Sequence, residues 1–270
     1  MTMSFKVAIG GLGAIGSVLA RRLDHGVEGL TLTALSARRM ERAREFAASL
    51  KTAVPVVALA ELPRHADIVV EGVPAAAFRE IAEAAVRAGR IFMPASVGQL
   101  LVHDDLVALA KAHGARIVVP TGALLGLDAV RAAAEGTIRS VTMVTRKPPA
   151  GLLGAPYLDE KKISLEGLAA PLKIFDGTAR EGAKGFPANV NVAAALSLAG
   201  IGPDRTRLEI WADPTTTRNT HRIEVEAEEA RFAMTIEGVP SAENPRTGRL
   251  TPLSVLAALK GLVSTLKVGS

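Results

Sequence analysis

Three glycines near the start of the chain have the spacing of a nucleotide-binding loop. Gly11, Gly13 and Gly16 form a G-x-G-x-x-G pattern directly after the apolar run at residues 5–10. In such a loop the first glycine permits a tight turn, the second admits a pyrophosphate, and the third lets a helix pack close to the strand. N–H groups at the start of that helix then bind the phosphates. The spacing predicts a dinucleotide site and does not identify the substrate.

The residues after the second predicted strand bear on which dinucleotide binds. An NAD site usually has Asp or Glu there, about 20 residues after the glycines, to hold the ribose hydroxyls. This chain has Ser36, followed by Arg38 and Arg39. A serine does not repel a 2′-phosphate, and guanidinium groups pair well with one. The sequence therefore favours NADP over NAD, although a solvated helix face would also explain both arginines.

One of the chain's five histidines stands out by its position. His221 alternates with polar residues along a predicted strand and shares a face with Ile223 and Val225. A histidine on an apolar strand face is either a satisfied core group or a side chain that faces a cleft. In a cleft its ordinary pKa near 6.5 suits it to move protons.

Composition excludes several other classes of protein. The 270 residues are 49% hydrophobic, which is typical of a globular chain with a real core. Cysteine is absent, so disulfides and thiolate chemistry are excluded, in keeping with a reducing cytoplasm. A net charge of +5 with 3% aromatic residues does not favour a nucleic-acid surface. No run is long enough to span a bilayer and no signal-peptide cleavage site is convincing, so we expect a cytoplasmic protein with no membrane partner and no metal site.

Strands and helices alternate in the first part of the chain. Strands are predicted at residues 5–10, 30–35, 66–74, 90–96 and 115–122, with a weaker one at 54–59. Helices are predicted between them at residues 14–23, 38–50, 75–89 and 104–114. This order predicts an α/β fold with a Rossmann-type doubly wound parallel sheet.

The pattern changes after about residue 122. Alternating apolar and polar residues predict antiparallel strands at 140–146, 207–213, 221–228 and 231–238. Helices are predicted at 189–200 and 250–266. We therefore expect a second α+β domain with a mixed sheet. The predicted divisions are 1–121 for the dinucleotide, 122–244 for substrate and dimerisation, and 245–270 for a helix that returns to the first domain.

Several blocks of the second half are similar to those of a known family. They are GFPANVNVAAALSLAGIG (185–202), TRLEIWADP (206–214), NTHRIEVEAE (219–228), ENPRTGRLTPLSVLAAL (243–259) and PTGALLGLDAV (120–130). These blocks resemble those of the L-aspartate dehydrogenase family. The resemblance extends over nearly the whole chain, and these blocks are its most specific part. One departure is EGVPAAAF (71–78), where the family commonly has EAAS or similar. That loop is expected near the nicotinamide or its ribose, so local cofactor contacts should differ there.

The resemblance implies an activity and assigns residues by position. The family interconverts L-aspartate and oxaloacetate plus ammonia through iminosuccinate, with NAD(P), and often feeds nicotinamide cofactor synthesis. His221 matches the family's catalytic histidine, and Ala123 and Asn189 match cofactor-contacting positions. A homodimer joined through the second-domain sheet is also implied. The predicted cofactor contacts are then Gly11, Leu12, Gly13, Ala14, Ile15, Gly16, Ser36, Arg38, Arg39, Ala123 and Asn189.

The residues that would hold a dicarboxylate are less well defined, since any cationic or N–H donor would serve. The NPRTG segment offers Asn244, Arg246 and Thr247, and the segment 215–221 adds hydroxyls and Arg218. Ordinary turn chemistry explains both segments equally well. Asn244 and Thr247 are kept as candidate substrate ligands.

Two other functions stay open from the sequence. Another NAD(P)H-dependent imine or carbonyl reductase, similar to dihydrodipicolinate reductase, would share the first domain but favour a basic pair beside its histidine. Here a single arginine, Arg222, follows His221. A nicotinamide-nucleotide-binding regulator without turnover would keep the glycines and would not need His221.

Overall fold

The computed structural model describes residues 4–187, 189–241 and 247–269. These residues form two compact units. The first contains the described residues up to Ser96, together with His103–Pro120 and Pro252–Lys267. The second contains Val97–Val102, the described residues from Thr121 to Thr251, and residues 268–269. The short segment Val97–Val102, which the predicted domain 1–121 includes, therefore belongs to the second unit.

The first unit is built on a five-stranded sheet in the order β2-β1-β3-β4-β5. Its strands are β1 (Phe5–Gly10), β2 (Leu30–Ser36), β3 (Ile68–Glu71), β4 (Ile91–Pro94) and β5 (Arg116–Ile117). All neighbouring pairs are parallel. Parallel neighbours require crossover connections, and helices in those crossovers cover the sheet and explain its continuous apolar runs. The predicted Rossmann-type α/β sheet is confirmed.

The second unit contains a mixed sheet in the order β10-β9-β6-β8-β7. Its strands are β6 (Ile138–Lys147), β7 (Leu172–Thr178), β8 (Thr206–Ala212), β9 (Asn219–Ala227) and β10 (Arg231–Gly238). Strand β6 lies at the centre, antiparallel to β9 and parallel to β8. The predicted second α+β mixed-sheet domain is confirmed.

The described part of the chain also contains ten α-helices. In the first unit they are α1 (Gly16–Asp24), α2 (Met40–Ala48), α3 (Leu62–His65), α4 (Ala75–Arg87) and α5 (Asp105–Ala112). In the second unit they are α6 (Leu127–Ala134), α7 (Pro156–Lys161), α8 (Ala179–Gly185) and α9 (Asn191–Ala199). The last helix is α10 (Leu250–Val263). Over the residues described, none of these helices combines the length and apolar character that crossing a membrane requires.

Helix α4 illustrates how sequence pattern places these elements. Pro74 precedes the helix, where its missing N–H costs nothing, and Gly89 follows it with a φ of +68°. Phe78, Ile81 and Ala85 recur at helical spacing and are fully buried. Burial of a side chain such as that of Phe78 stabilises the fold by about 1.5–3 kcal/mol.

The C-terminal helix contributes to the core of the first unit. Val255 and Leu259 of α10 are fully buried in one cluster with Val7 and Ile9 of β1 and Leu19 of α1. The first unit is therefore assembled from both ends of the chain.

Two predictions about strands are wrong. Residues 54–59 form only a single bridge, between Val56 and Leu35, and a 3₁₀ turn follows at Leu59–Glu61. Pro55 lacks the N–H that a ladder needs, which explains why no strand continues there. The other prediction made the second-domain strands antiparallel, whereas β6 and β8 are parallel.

Strand β7 has no counterpart among the predicted strands. A register shift between Lys173 and Phe175 makes both Ile174 and Phe175 buried. Two consecutive buried residues break the period-two alternation by which strands are recognised in a sequence.

Candidate active site

The glycine-rich turn between β1 and α1 has the geometry that a dinucleotide requires. Gly11 has a φ of +98°, and a Cβ on it would overlap the carbonyl group of Gly72. A Cβ on Gly16 would overlap the carbonyl of Gly11, whereas a Cβ on Gly13 would meet no described atom within 4 Å. Gly11 thus makes the turn, Gly16 permits close packing, and Gly13 leaves open space where a pyrophosphate would approach. The residues present fit a bound dinucleotide.

The residues between these glycines have two kinds of environment. Leu12 and Ile15 pack against the hydrophobic core of the first unit, and Ala14 is half-buried. Helix α1 begins at Gly16, and the carbonyl of Gly13 accepts hydrogen bonds from both N and Oγ of Ser17. The predicted contacts of Leu12, Ala14 and Ile15 with a cofactor would therefore come through backbone N–H groups.

The second predicted cofactor segment lies at the carboxyl end of β2. Ser36 is buried, and its carbonyl accepts a hydrogen bond of 2.7 Å from the N–H of Gly11. Arg38 and Arg39 are exposed, and neither forms an ion pair within the described ranges. The structure thus places Ser36 beside the glycine turn and leaves two guanidinium groups next to it in sequence available to an anion.

His221 lies on the inner face of the second sheet, where the sequence pattern placed it. It pairs with Thr145 across the antiparallel strands β6 and β9, and its Nδ1 lies 3.1 Å from Thr145 Oγ1. Its exposed fraction is only 2%. Burial first, and the positive charge of Lys147 second, lower the pKa of His221 to about 3. The ring is therefore neutral throughout the physiological range.

Lys147 is a functional candidate that sequence reasoning missed. It is the last residue of β6, its exposed fraction is 3%, and its Nζ donates a 2.9 Å hydrogen bond to Oδ1 of Asn189. A buried ammonium is costly unless it is hydrogen-bonded and paired, so its retention here indicates a specific role. The available signal was the alternation Val141, Met143, Thr145, Lys147, which puts the lysine on the apolar face of its strand.

Asn219 is a second residue that sequence reasoning missed. It is two residues from His221 on the same face of β9 and is buried. No donor within the described ranges reaches its Oδ1. A buried amide oxygen without a donor is destabilising, and in a native protein such a group calls for a ligand or water.

The remaining predicted residues lie in different surroundings, and two of them are outside the described residues. Ala123 is half-buried just before α6, and a Cβ on Gly248 would lie 3.8 Å from the Cβ of Ala123. Gly248, which follows Thr247 in the sequence, therefore lies near Ala123. The carbonyl of Thr247 accepts a hydrogen bond from Ser241 N. Arg218 is exposed and is 3.9 Å from Glu237 in a surface ion pair. Asn244 and Arg246 lie outside the described residues.

The fold and these side chains together define a class of protein. One unit has a Rossmann-type sheet with a dinucleotide turn, and the other has a buried neutral histidine close to a buried lysine and amides. This combination is that of a dehydrogenase that uses a nicotinamide dinucleotide. A family model for the C-terminal region of aspartate dehydrogenase matches residues 128–262, and one for the NAD-binding domain of homoserine dehydrogenase matches residues 11–120. The chain belongs to the L-aspartate dehydrogenase family.

Similar proteins cover nearly the whole chain. A relative from Bradyrhizobium diazoefficiens, named L-aspartate dehydrogenase, is 57% identical over 98% of this chain and 94% of its own. A relative from Bordetella bronchiseptica, named L-aspartate dehydrogenase 3, is 55% identical over 98% of this chain and 97% of its own. The crystal structure of aspartate dehydrogenase from Thermotoga maritima shares the fold, with a TM-score of 0.74 and 24% identity over 98% of this chain and 99% of that one.

Proposed function

We propose that this protein interconverts L-aspartate and oxaloacetate plus ammonia through iminosuccinate, with a nicotinamide dinucleotide. The observation that carries the proposal is the buried cluster of His221, Lys147 and Asn219 in a chain of this family. A nicotinamide held at the glycine turn would supply the acceptor for the hydride that leaves the substrate Cα. The chain's own side chains must hold the substrate and move the protons that accompany attack of water on the imine.

His221 is the group that moves a proton. Oxidation of the amine produces an imine, and a general base assists water in attacking it. A neutral imidazole has one N–H and one lone pair, so its partner at one nitrogen decides the role of the other. Nδ1 is 3.1 Å from Thr145 Oγ1. In the tautomer in which Nδ1–H donates to that hydroxyl, the lone pair of His221 is at Nε2, where it can accept a proton from water.

Lys147 links substrate binding to the basicity of His221. Its charge contributes to the lowered pKa of His221, after burial. A substrate carboxylate that pairs with Lys147 neutralises that charge. Binding of the dicarboxylate therefore removes the smaller of the two causes that lower the pKa of His221, and this favours proton uptake by the ring.

The buried polar groups match the functional groups of aspartate. The ammonium group of Lys147 suits a carboxylate. The Oδ1 of Asn219, which no described residue satisfies, suits the hydrogens of the substrate amine or of ammonia. These two residues replace Asn244 and Thr247 as our leading substrate ligands.

NADP is the cofactor that we favour. A serine at the ribose position and exposed guanidinium groups at Arg38 and Arg39 support acceptance of a 2′-phosphate. Ala123 and Asn189 are proposed to contact the cofactor as well, on the strength of the family positions. In Asn189 the Oδ1 already accepts from Lys147, so its amide N–H group is the part that would serve.

A homodimer in the cytoplasm is proposed as the working form. The outer face of the second sheet carries half-buried Val144 and Trp211 between charged residues, and a cavity of about 400 Å³ lies on it near Arg222 and Arg231. Such a face is suited to a second copy of the chain through the second-domain sheet, as the family likeness implied. The absence of cysteine suits the cytoplasm.

The function is tested by incubating the protein with L-aspartate and NADP⁺ or NAD⁺. The account predicts one ammonia and one oxaloacetate released for each reduced cofactor formed. Reduction of cofactor without release of ammonia, or no turnover with aspartate, would refute it.

A further inference from the structure

One buried carboxylate in the first unit has no part in the mechanism above. Glu71 is the last residue of β3, pairs with Gly10 of β1 and Pro94 of β4, and is fully buried. Its two oxygens accept three hydrogen bonds. Oε1 accepts from Val73 N at 2.7 Å and from Ser96 Oγ at 2.9 Å. Oε2 accepts from Ser96 N at 3.0 Å.

These bonds tie together the loops that follow two adjacent parallel strands. Val73 lies in the loop after β3, and Ser96 lies in the loop after β4. Burial raises the pKa of Glu71, while the N–H groups of Ser96 and Val73 act in the opposite direction. In each of the three hydrogen bonds Glu71 is the acceptor. The ionised carboxylate, which has no hydrogen of its own, can accept all three.

The loop held by Glu71 is in direct contact with the dinucleotide turn. Gly72 N donates a 2.8 Å hydrogen bond to Gly10 O. A Cβ on Gly11 would overlap Gly72 O and would lie 3.1 Å from Val73 N. Gly72 and Val73 therefore limit the space around Gly11 and help to fix the turn there. This turn is at the carboxyl end of β1, and ligands of such sheets bind at the carboxyl ends of the strands.

We propose that Glu71 is a positioning residue for the cofactor, whose carboxylate fixes the 72–73 and 95–96 loops against the glycine turn. It acts through these backbone groups and touches no reacting atom. The proposal rests on the proposed function only in taking a nicotinamide dinucleotide as the ligand.

Glutamine cannot replace Glu71 in this role. Val73 N and Ser96 N donate to different oxygens of the carboxylate. An amide presents one oxygen and one NH₂ group, so either orientation directs N–H against one backbone N–H. Glu71→Gln keeps the side-chain size and removes one acceptor, which makes it a specific probe of the hydrogen bonds that hold the two loops.

The test is titration of the substrate-free protein with NADPH and with NADH, followed by fluorescence. Glu71→Gln should raise the Kd of the dinucleotide about tenfold, equivalent to about 1.4 kcal/mol. Ser96→Ala removes only the Oγ donor and should raise it roughly threefold, in keeping with the modest net worth of one hydrogen bond. The KM for L-aspartate at saturating cofactor should stay within about twofold in both variants, because Glu71 acts on the first unit.

Asp67→Asn is the matched control. Asp67 precedes the opposite end of β3 and accepts a 2.9 Å hydrogen bond from Lys6 N, so it too is a carboxylate bound to backbone. Its replacement should leave the dinucleotide Kd unchanged even if the protein unfolds at a lower temperature. A Kd for Glu71→Gln equal to that of the wild type overturns the proposal, and so does an equal rise in Asp67→Asn. If Glu71→Gln does not fold, an unchanged Kd in Ser96→Ala overturns it. Because the dinucleotide Kd is measured without substrate, failure of this proposal is distinct from failure of the proposed reaction.

Discussion

Thr145 and His221 occupy paired positions on β6 and β9, and Thr145 Oγ1 lies 3.1 Å from His221 Nδ1. The threonine is the only described side chain hydrogen-bonded to this ring. The threonine hydroxyl can donate to Nδ1 or accept from Nδ1–H, so this contact fixes the position of the ring in either tautomer. The register of β6 and β9, which the sequence pattern alone does not show, thus sets the position of the His221 ring.

Replacement of Thr145 by valine should impair this orientation with little change in side-chain volume. Loss of a hydrogen bond worth about 0.5–1.5 kcal/mol predicts a fall in kcat of up to roughly tenfold. The Kd of the cofactor should not change. Thr142→Val, on the opposite face of the same strand, is the control and should keep wild-type kcat. Equal kcat values in the two variants would remove Thr145 from the mechanism.

Replacement of Lys147 by methionine should weaken substrate binding. Hydrogen bonds to charged groups are worth about 1.5–3 kcal/mol, so the KM for L-aspartate should rise roughly 10–150-fold. Methionine also fills the space of the lysine stem, so cavity formation is avoided. Steady-state kinetics measure the change, and Lys173→Met, at a half-exposed lysine of β7, is the control. A Lys147→Met protein with unaltered KM would show that the lysine is structural only.

The lowered pKa of His221 predicts how stability depends on pH. Between its value of about 3 in the folded protein and about 6.5 in the unfolded chain, the unfolded state binds a proton that the folded state does not. The contribution of the neutral His221 ring to the free energy of unfolding is therefore complete above pH 6.5. It is lost as the pH falls below 6.5, by about 1.4 kcal/mol per pH unit.

A His221→Asn variant should lack this dependence. Between pH 6.5 and pH 5 the wild type should lose roughly 2 kcal/mol more of its free energy of unfolding than the variant does. Urea unfolding at several pH values measures the difference. His113→Asn, at an exposed histidine of the first unit, should follow the wild type. Parallel pH profiles for the wild type and His221→Asn would contradict the buried neutral ring.

Cofactor preference should depend on the residues after β2. Replacing both Arg38 and Arg39 by serine should raise the KM for NADPH about tenfold, because charge-assisted bonds to the 2′-phosphate are lost. The KM for NADH should remain within about twofold. Arg42→Ser, at an exposed position further along α2, is the control. If the ratio of the KM for NADPH to the KM for NADH is the same in the wild type, the double variant and Arg42→Ser, the two arginines do not bind the 2′-phosphate.

The parallel sheet could be predicted because its strands are continuous apolar runs between strong helical patterns. The glycine turn could be predicted too, since Gly11 and Gly16 are required by backbone contacts that a fixed spacing encodes. The alternation along its strand predicts His221 on the apolar face, and the family blocks imply the catalytic role that we propose for it.

Other parts of the site could not be predicted because they depend on contacts between distant segments. Lys147 and Asn189 are 42 residues apart, and a lysine at the end of a strand ordinarily points to solvent. In the sequence Glu71 is only the first residue of the atypical segment 71–78, because its partner Ser96 is 25 residues further on. Strand β7 was missed because its register shift breaks the alternation.

The most direct test of the account is oxidation of NADPH by the protein in the presence of oxaloacetate and ammonium. We predict that NADPH is consumed only when both are present, that L-aspartate is formed in equal amount, and that His221→Asn lowers kcat by about 10²–10⁴-fold. Consumption of NADPH with oxaloacetate alone, or a His221→Asn protein with wild-type turnover, would contradict the account.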